Sequence, residues 1–452
     1  MANSKFSEIP IVSDFTDEDF VTAVTGGLPS RIPVKDLKKG MIKNNDLYLQ
    51  QVAFFIDINE PSDTPKNVNV GGNMQMFKLW ANEWKSGVMD QDGNWAELSR
   101  TDNRYFADGT FVVNLETGEV IPELANCNFI GVIPETGCYI QTVQIADKTI
   151  QRLWLSLLPL PGWTEPAQYT GMFKGWIDES GRLRALPGKV PTGSKTNKQF
   201  WDAAQLYGRN YGLAGVYFRN MLLWYMMGAY GQRSSQECKL SDGTPVFGVG
   251  LDGSESTGTD KFVAQKNIKT GTTLALGTAD GKIDVKDVDN NVCHSVKVLS
   301  YENPWGQYWE FDGHLCSFAG DVFAWRENFM PTTNNPAKTD FANIKITLLA
   351  RHKTGIGPGD SSGHKMNILS GSEQGLFMIP YAPLPGVSYG DGFWYAEAGQ
   401  VWLWGGPSNN GSNCGLASSS SYNGWSLSSS DVGSRLAYFG PIKVVSGKAL
   451  LP

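Results

Sequence analysis

Residues Ser412–Pro441 read SNCGLASSSSYNGWSLSSSDVGSRLAYFGP. The middle has the composition of a Ser-rich linker, yet Tyr422, Trp425 and Leu427 interrupt it and the chain runs on into apolar LAYFGPIKVV. Gly/Ser linkers behave as random coils with nothing to pack. A polar stretch with large aromatic and aliphatic residues at its centre and apolar chain after it belongs to a folded domain. From Pro407 to Ser434 there is no Lys, Arg, Glu, Gln or Met. Tyr with Ser, Gly and Asn is the composition of paratopes, where Tyr gives rigid contact area and the small residues adapt. The segment therefore predicts a ligand-binding face.

Outward from this segment the chain reads as scaffold. GFWYAEAGQVWLWGG (Gly392–Gly406) brings Trp394, Tyr395 and Trp404 directly before it. YENPWGQYWEFDGHLCSFAGDVFAWREN (Tyr301–Asn328) sets Trp305, Trp309, Phe311, Phe323 and Trp325 among strand and turn residues. Such aromatic density predicts a packed core whose indole N–H groups reach backbone partners. SKTNKQFWDAAQLYGRNYG (Ser194–Gly212) opens on the cap residues Ser194 and Thr196, puts Phe200, Ala203, Ala204 and Tyr207 on one helical face, and ends at Gly208 or Gly212. VYFRNMLLWYMMGAYG (Val216–Gly231) is apolar nearly all round, which predicts a buried helix. After Gly231 helix signals stop, and 241–262 and 279–292 read as hairpins.

Toward the N-terminus, LYLQQVAFFIDI (Leu47–Ile58) alternates like a strand, and turns are expected at Thr117–Gly118 and at Thr136–Gly137. This predicts a small β domain over 46–148. Residues 1–45 hold too little apolar chain to fold alone and read as an attachment segment that packs on a neighbour. The third unit is 149–452.

Composition narrows the function. Of 452 residues, 18% are charged, below the roughly 25% of ordinary soluble domains. The 51 Gly and 12% aromatics suit loop-rich β structure. The net charge of −7 is spread along the chain with no basic stripe, which argues against nucleic-acid binding. The opening MANSKFSEIPIVSDFTDEDF has no apolar h-region, so no signal peptide is expected, and Asn220–Gly231 is too short to span a bilayer. The six cysteines form no CxxC pair and read as reduced thiols of a protein made in a cytoplasm. Cys293–His294 and His314–Cys316 lack zinc-site spacing, and the aspartates Asp280, Asp284, Asp287 and Asp289 fit no EF-hand loop, so neither metal nor cofactor is expected. GIGPGDSSGHK (Gly355–Lys365) lacks the end of a P-loop and reads as a polar loop, with Ser361, Ser362 and His364 near in sequence only. No carboxylate pair suggests acid–base work, so the chain does not read as an enzyme.

The order of helix, buried helix, ENPWGQYWEFDG (Glu302–Gly313), a Gly-rich loop, WLWGGPSNNGSNCGL (Trp402–Leu416) and a Ser/Asn/Tyr-rich run closing on VGSRL resembles the C-type-lectin-fold variable proteins of phage diversity-generating retroelements. The resemblance covers about 150–452. It implies an α+β chain: a C-type-lectin-like (formylglycine-generating-enzyme-like) domain, preceded by the small β domain and an extended N-terminal anchor. It implies a virion adhesin of a tail or head fibre, made in the bacterial cytoplasm, that binds a host-surface protein or glycan. The expected partners are that receptor and other fibre proteins, in a homotrimer.

In that family, adenine-directed mutagenesis acts mostly on AAC codons, from which Lys, Glu, Gln, Met and Trp cannot be reached. The variable region would be about 407–434, with Ser408, Ser418, Ser420, Tyr422, Asn423, Leu427, Ser429 and Asp431 diversified and Trp394, Tyr395 and Trp404 supplying stacking area. Gly405, Gly406, Gly411, Gly415, Leu416, Trp425, Gly433, Arg435 and Leu436 would be framework. Two other readings share the fold: a structural head-fibre or decoration protein, and a formylglycine-generating-like oxidase, for which Cys316 and Cys414 are the only candidate pair.

Overall fold

Apolar runs pair into three large sheets in the computed structural model, which describes residues 20–25, 28–33, 45–58, 67–248, 251, 265–287, 290, 292–351, 364–371, 375–383, 391–396, 398–407, 409–410 and 414–451. The chain is α+β, mostly strand with few helices. One seven-stranded sheet runs in the order Tyr211–Leu213, Leu436–Tyr438, Gln168–Gly171, Asn128–Ile133, Lys85–Met89, Asn94–Glu97 and Lys443–Val444. A second runs Thr347–Arg351, Asp321–Ala324, Trp309–Phe318, Val401–Trp404, Ser419–Ser421 and Phe393–Tyr395, with Val432–Gly433 parallel to Trp309–Glu310. The third has five strands: Trp163–Glu165, Thr136–Ile145, Lys148–Ser156, Phe54–Asp57 and Val70–Gly72.

These pairings depart from the three-unit expectation. A division at 148/149 falls inside the hairpin of Thr136–Ile145 with Lys148–Ser156. Strands from 85–133 share a sheet with Leu436–Tyr438 near the C-terminus. Pro134 and Glu135 separate Asn128–Ile133 from Thr136–Ile145, so the expected turn at Thr136–Gly137 is instead a crossing between two sheets. The run from Leu47 also splits: Asn45–Val52 is a helix and only Phe54–Asp57 is a strand. Tyr48, Leu49 and Val52 pack into one small cluster with Ala53 and Phe55, at helical rather than alternate spacing.

Both expected helices form. In Asn197–Tyr207 the Thr196 hydroxyl accepts from Gln199 N at 3.2 Å and the Gln199 side chain accepts from Thr196 N at 2.9 Å, a reciprocal cap. Its buried face is Asn197, Phe200, Ala203, Ala204 and Tyr207. Val216–Tyr230 is buried from Val216 to Gly228 and ends at Gly231, whose φ of +60° suits glycine. This helix shares its apolar cluster with Cys414, Leu416 and Ala417, so the deepest helix underlies the start of the Ser-rich segment. The Asn197–Tyr207 face shares another cluster with Phe311, Trp425, Val432 and Leu436.

The 279–292 hairpin forms as Gly281–Lys286 with Val292–Val298, and the Asp280 carboxylate just before it accepts from the hydroxyls of the buried Tyr225 and the half-buried Tyr230 at 2.7 and 2.6 Å. Most of the Gly355–Lys365 loop, including Ser361 and Ser362, lies outside the described residues, as does most of 1–45.

Candidate ligand-binding face

Strand register places the face. Phe311 pairs with Leu403, Leu403 with Ser420, and Ser420 with Trp394. Residues paired across neighbouring strands point to one side of a sheet. The next row, Glu310, Trp404 and Ser419, points the other way. The first row opens on a cavity of about 300 Å³. Strands contribute Trp309, Trp394, Leu403, Ser420 and Val432 to its lining; the loops add Asn410, Tyr422, Asn423, Leu427, Ser429 and Asp431. Trp309 and Trp394 meet edge to face, with centroids 5.4 Å apart and planes at 89°. Tyr422 is 61% exposed beside them.

The loop that carries these side chains is tied down through its backbone. Asn423 O accepts from Gln400 N at 2.8 Å and Val401 N at 3.0 Å. Ser429 O accepts from Ser194 N at 2.9 Å, and Asp431 O from Trp309 N at 2.8 Å. Trp425, only 4% exposed, plugs the loop into the core against Phe341, at 6.5 Å between centroids. None of these backbone bonds depends on the identity of the side chain at 422, 423, 429 or 431. Asp431 is the one charged residue among the described residues that line the cavity, and its carboxylate accepts a hydrogen bond from the Ser429 hydroxyl.

Of the residues expected at the site, Ser420, Tyr422, Asn423, Leu427, Ser429, Asp431 and Trp394 therefore meet at one cavity. Ser418 and Trp404 do not. Ser418 is fully buried in a turn whose carbonyl accepts from Gly405 N at 2.8 Å. Trp404 is on the inward row, and its indole N–H donates to Asp312 Oδ2 at 2.5 Å. Ser408, Gly411 and the Tyr395 side chain lie outside the described residues. Trp309, Leu403, Asn410 and Val432 line the cavity without having been singled out for it. Alternation from Phe311 back to Trp309, and from Trp404 back to Leu403, was the available signal.

Behind the face lies a buried charge cluster. Glu310 receives Arg435 Nε at 3.1 Å and Nη2 at 2.9 Å, Lys174 Nζ at 2.6 Å, and Arg219. Arg435 also donates to the carbonyls of Gly171, Met172, Glu302 and Asn303 at 3.0, 2.9, 2.9 and 3.3 Å. The guanidinium thus ties the end of Gln168–Gly171, an interior strand of the first sheet, to the segment leading into the second. Burial alone would raise the Glu310 carboxyl, but Arg219, Arg435 and Lys174 outweigh it and hold it well below the carboxylate range. Burial pushes Lys174 down to about 8, with Arg435 and Arg219 acting the same way and Glu310 opposing. Lone Arg219 and Lys174 in apolar sequence, YFRNMLLWY and MFKGW, signalled a buried partner.

Two further acids support the loops. Asp391 Oδ2 accepts from Ala417 N at 3.0 Å, and burial raises this carboxyl to about 7. Asp312 Oδ1 accepts from His314 N at 2.6 Å while Asn197 Nδ2 donates to Asp312 O at 3.1 Å; burial raises its carboxyl to about 7 as well.

All six cysteines are buried thiols outside any disulfide. Cys316 and Cys414 belong to different core clusters, and burial pushes the Cys316 thiol well above its ordinary value, the opposite of activation. Among the described residues, no group of three or more His, Cys, Asp or Glu is placed to hold a metal ion, and no helix is long and apolar enough to cross a membrane. Neither a protein-family model nor a curated protein matches the chain.

Proposed function

We propose that the chain is a phage virion receptor-binding protein that reversibly holds a host-surface protein or glycan on the face lined by Ser420, Tyr422, Asn423, Leu427, Ser429, Asp431 and Trp394. One observation carries the reading: these residues converge on one cavity, Ser420 and Trp394 from strands and the others from a loop held by backbone bonds at Asn423, Ser429 and Asp431 that do not depend on the side chains there. A face that changes its residues from one variant to the next needs such a loop. The residues beneath it, Trp425 and Arg435, are buried, Trp425 packed against apolar neighbours and Arg435 paired with Glu310.

In this reading the C-terminal part of the chain has a C-type-lectin-like fold, 1–45 attach the protein to a tail or head fibre, and the working unit is a homotrimer whose repeated weak sites add avidity. The protein acts by binding and not by catalysis, without nucleic acid and without membrane insertion. The gene tests the reading. Codons for Ser420, Tyr422, Asn423, Leu427, Ser429 and Asp431 ending in C, beside a reverse-transcriptase gene and a near-copy template, are the expected result. Codons at these positions ending in other bases would refute diversification.

A further inference from the structure

Three aromatic rings, Trp309, Trp394 and Tyr422, and one carboxylate, Asp431, line the cavity, and no cation does so among the described residues. The negative faces of aromatic rings attract a cation placed over them, and Trp does so most strongly. Asp431 spends one oxygen on the Ser429 hydroxyl, its only side-chain bond among the described residues. Around it, Ser429, Asn423 and Asn410 add hydroxyl and amide oxygens, which accept N–H donors. Leu403, Leu427 and Val432 add an apolar wall.

We infer that this cavity takes a primary ammonium group on an apolar stem, the chemistry of a lysine side chain displayed by a host-surface protein. The inference rests on the proposed function and narrows it. The acceptors decide between kinds of cation. A quaternary ammonium has no N–H to give, so Asp431 and the amide oxygens would lose water without gaining a hydrogen bond. A primary ammonium has three donors, and its methylenes lie against the rings and the aliphatic wall. A neutral sugar would also stack on a Trp face and give hydroxyl hydrogen bonds to Asp431, but it brings no positive charge to offset the carboxylate, whereas an ammonium does both.

The test uses the full chain and small probes, read by Trp fluorescence and calorimetry. The probes are Nα-acetyl-lysinamide, its Nε-acetylated form, choline and methyl glucoside. The lysine probe is expected to bind in the millimolar range and to weaken in high salt. Nε-acetylation, which removes the charge at nearly the same shape, should weaken binding at least tenfold, and choline and methyl glucoside should bind more weakly than the lysine probe. Asp431→Asn should abolish lysine binding with an unchanged unfolding midpoint, and Asp431→Glu should restore part of it. Equal binding of the lysine probe and its acetylated form overturns the inference, as does preferential binding of choline or of the sugar. These comparisons use the unmodified protein and stand even if a variant does not fold. Host-cell binding separates the two levels. Retention by Asp431→Asn together with loss by Tyr422→Ala removes the ammonium and keeps the face; retention by both removes the face.

Discussion

Arg435 and Glu310 form a two-point ion pair in the interior, Nε to Oε2 at 3.1 Å and Nη2 to Oε1 at 2.9 Å, with the guanidinium fully buried. The same guanidinium reaches four carbonyls from two segments, so it is a joint as well as a charge partner. Removing one partner of a buried pair strands the other in a medium that solvates it poorly. Arg435→Ala is expected to destabilise the chain by about 3–5 kcal/mol in chemical denaturation. Arg435→Lys should recover little, because a single ammonium cannot reproduce the planar fork.

The buried acids set a pH dependence of stability. Asp312 and Asp391 titrate at about 7 when folded, above their ordinary value of 3.8. The folded state therefore binds more protons than the unfolded one between those values, and stability falls as pH rises through this window. Lys297 acts later and in the opposite sense: burial lowers it from 10.5 to about 7, so its contribution to stability rises with pH above 7. Glu310 is depressed, so its contribution is lost as pH falls below the ordinary Glu range. Asp391→Asn keeps an oxygen for Ala417 N. It is expected to flatten the fall between pH 4 and 7 and to leave the alkaline rise intact, as measured by denaturation at a series of pH values.

The Ser-rich strand alternates in what it tolerates. Ser420 shares the cavity-facing row with Leu403, whereas Ser419 pairs with Trp404 on the inward row. Ser419 and Ser421 are fully buried, and their hydroxyls have no partner among the described residues. Small side chains leave room there for the buried Trp402 and Trp404 indoles. Ser419→Leu is expected to cost about 1–3 kcal/mol or more through overpacking, and Ser419→Ala to be neutral or slightly stabilising. Natural variation should accordingly occur at 420 and spare 419 and 421, which sequencing of related isolates would show.

Face and framework should separate in denaturation. Tyr422, at 61% exposure, is expected to change stability by only about 0.5 kcal/mol as Ala. Trp425→Ala should cost about 3–5 kcal/mol. Leu427 does not belong with the indifferent positions, because it is half-buried against the cluster that holds Trp425 and Phe311. Leu427→Asp should cost more than Tyr422→Ala, while Leu427→Ala changes the cavity shape.

Sequence patterns were legible where one local rule acted alone. The cap at Thr196 with Gln199 and the all-round apolar run from Val216 specified two helices without reference to the rest of the chain. Composition marked the loop lining the cavity, because the run from Pro407 to Ser434 is rich in Ser, Asn, Gly and Tyr and has no Lys, Arg, Glu, Gln or Met. Long-range pairing was not legible. Nothing local in Gln168–Gly171 says that it pairs with Asn128–Ile133, and that pairing, with the hairpin of Thr136–Ile145 and Lys148–Ser156, is what erases the expected boundary at 148/149. Helix and strand periods also overlap in a short run such as Leu47–Ile58, where only the packing of Leu49 and Val52 decides. Ser418 and Trp404 were expected at the face from the resemblance alone, which carries no strand phase; Ser418 precedes the strand Ser419–Ser421 and Trp404 falls on the inward row.

Binding to host cells tests the central claim most directly. The full-length protein carrying Tyr422→Ala, Asn423→Ala and Asp431→Asn together should keep its unfolding midpoint and lose at least tenfold in binding to cells that the parent protein recognises. Leu206→Ala, at an exposed position on the Asn197–Tyr207 helix and outside the cavity lining, should bind like the parent. If the triple variant folds and binds as the parent does, the face of residues 420–431 is not the receptor-binding site.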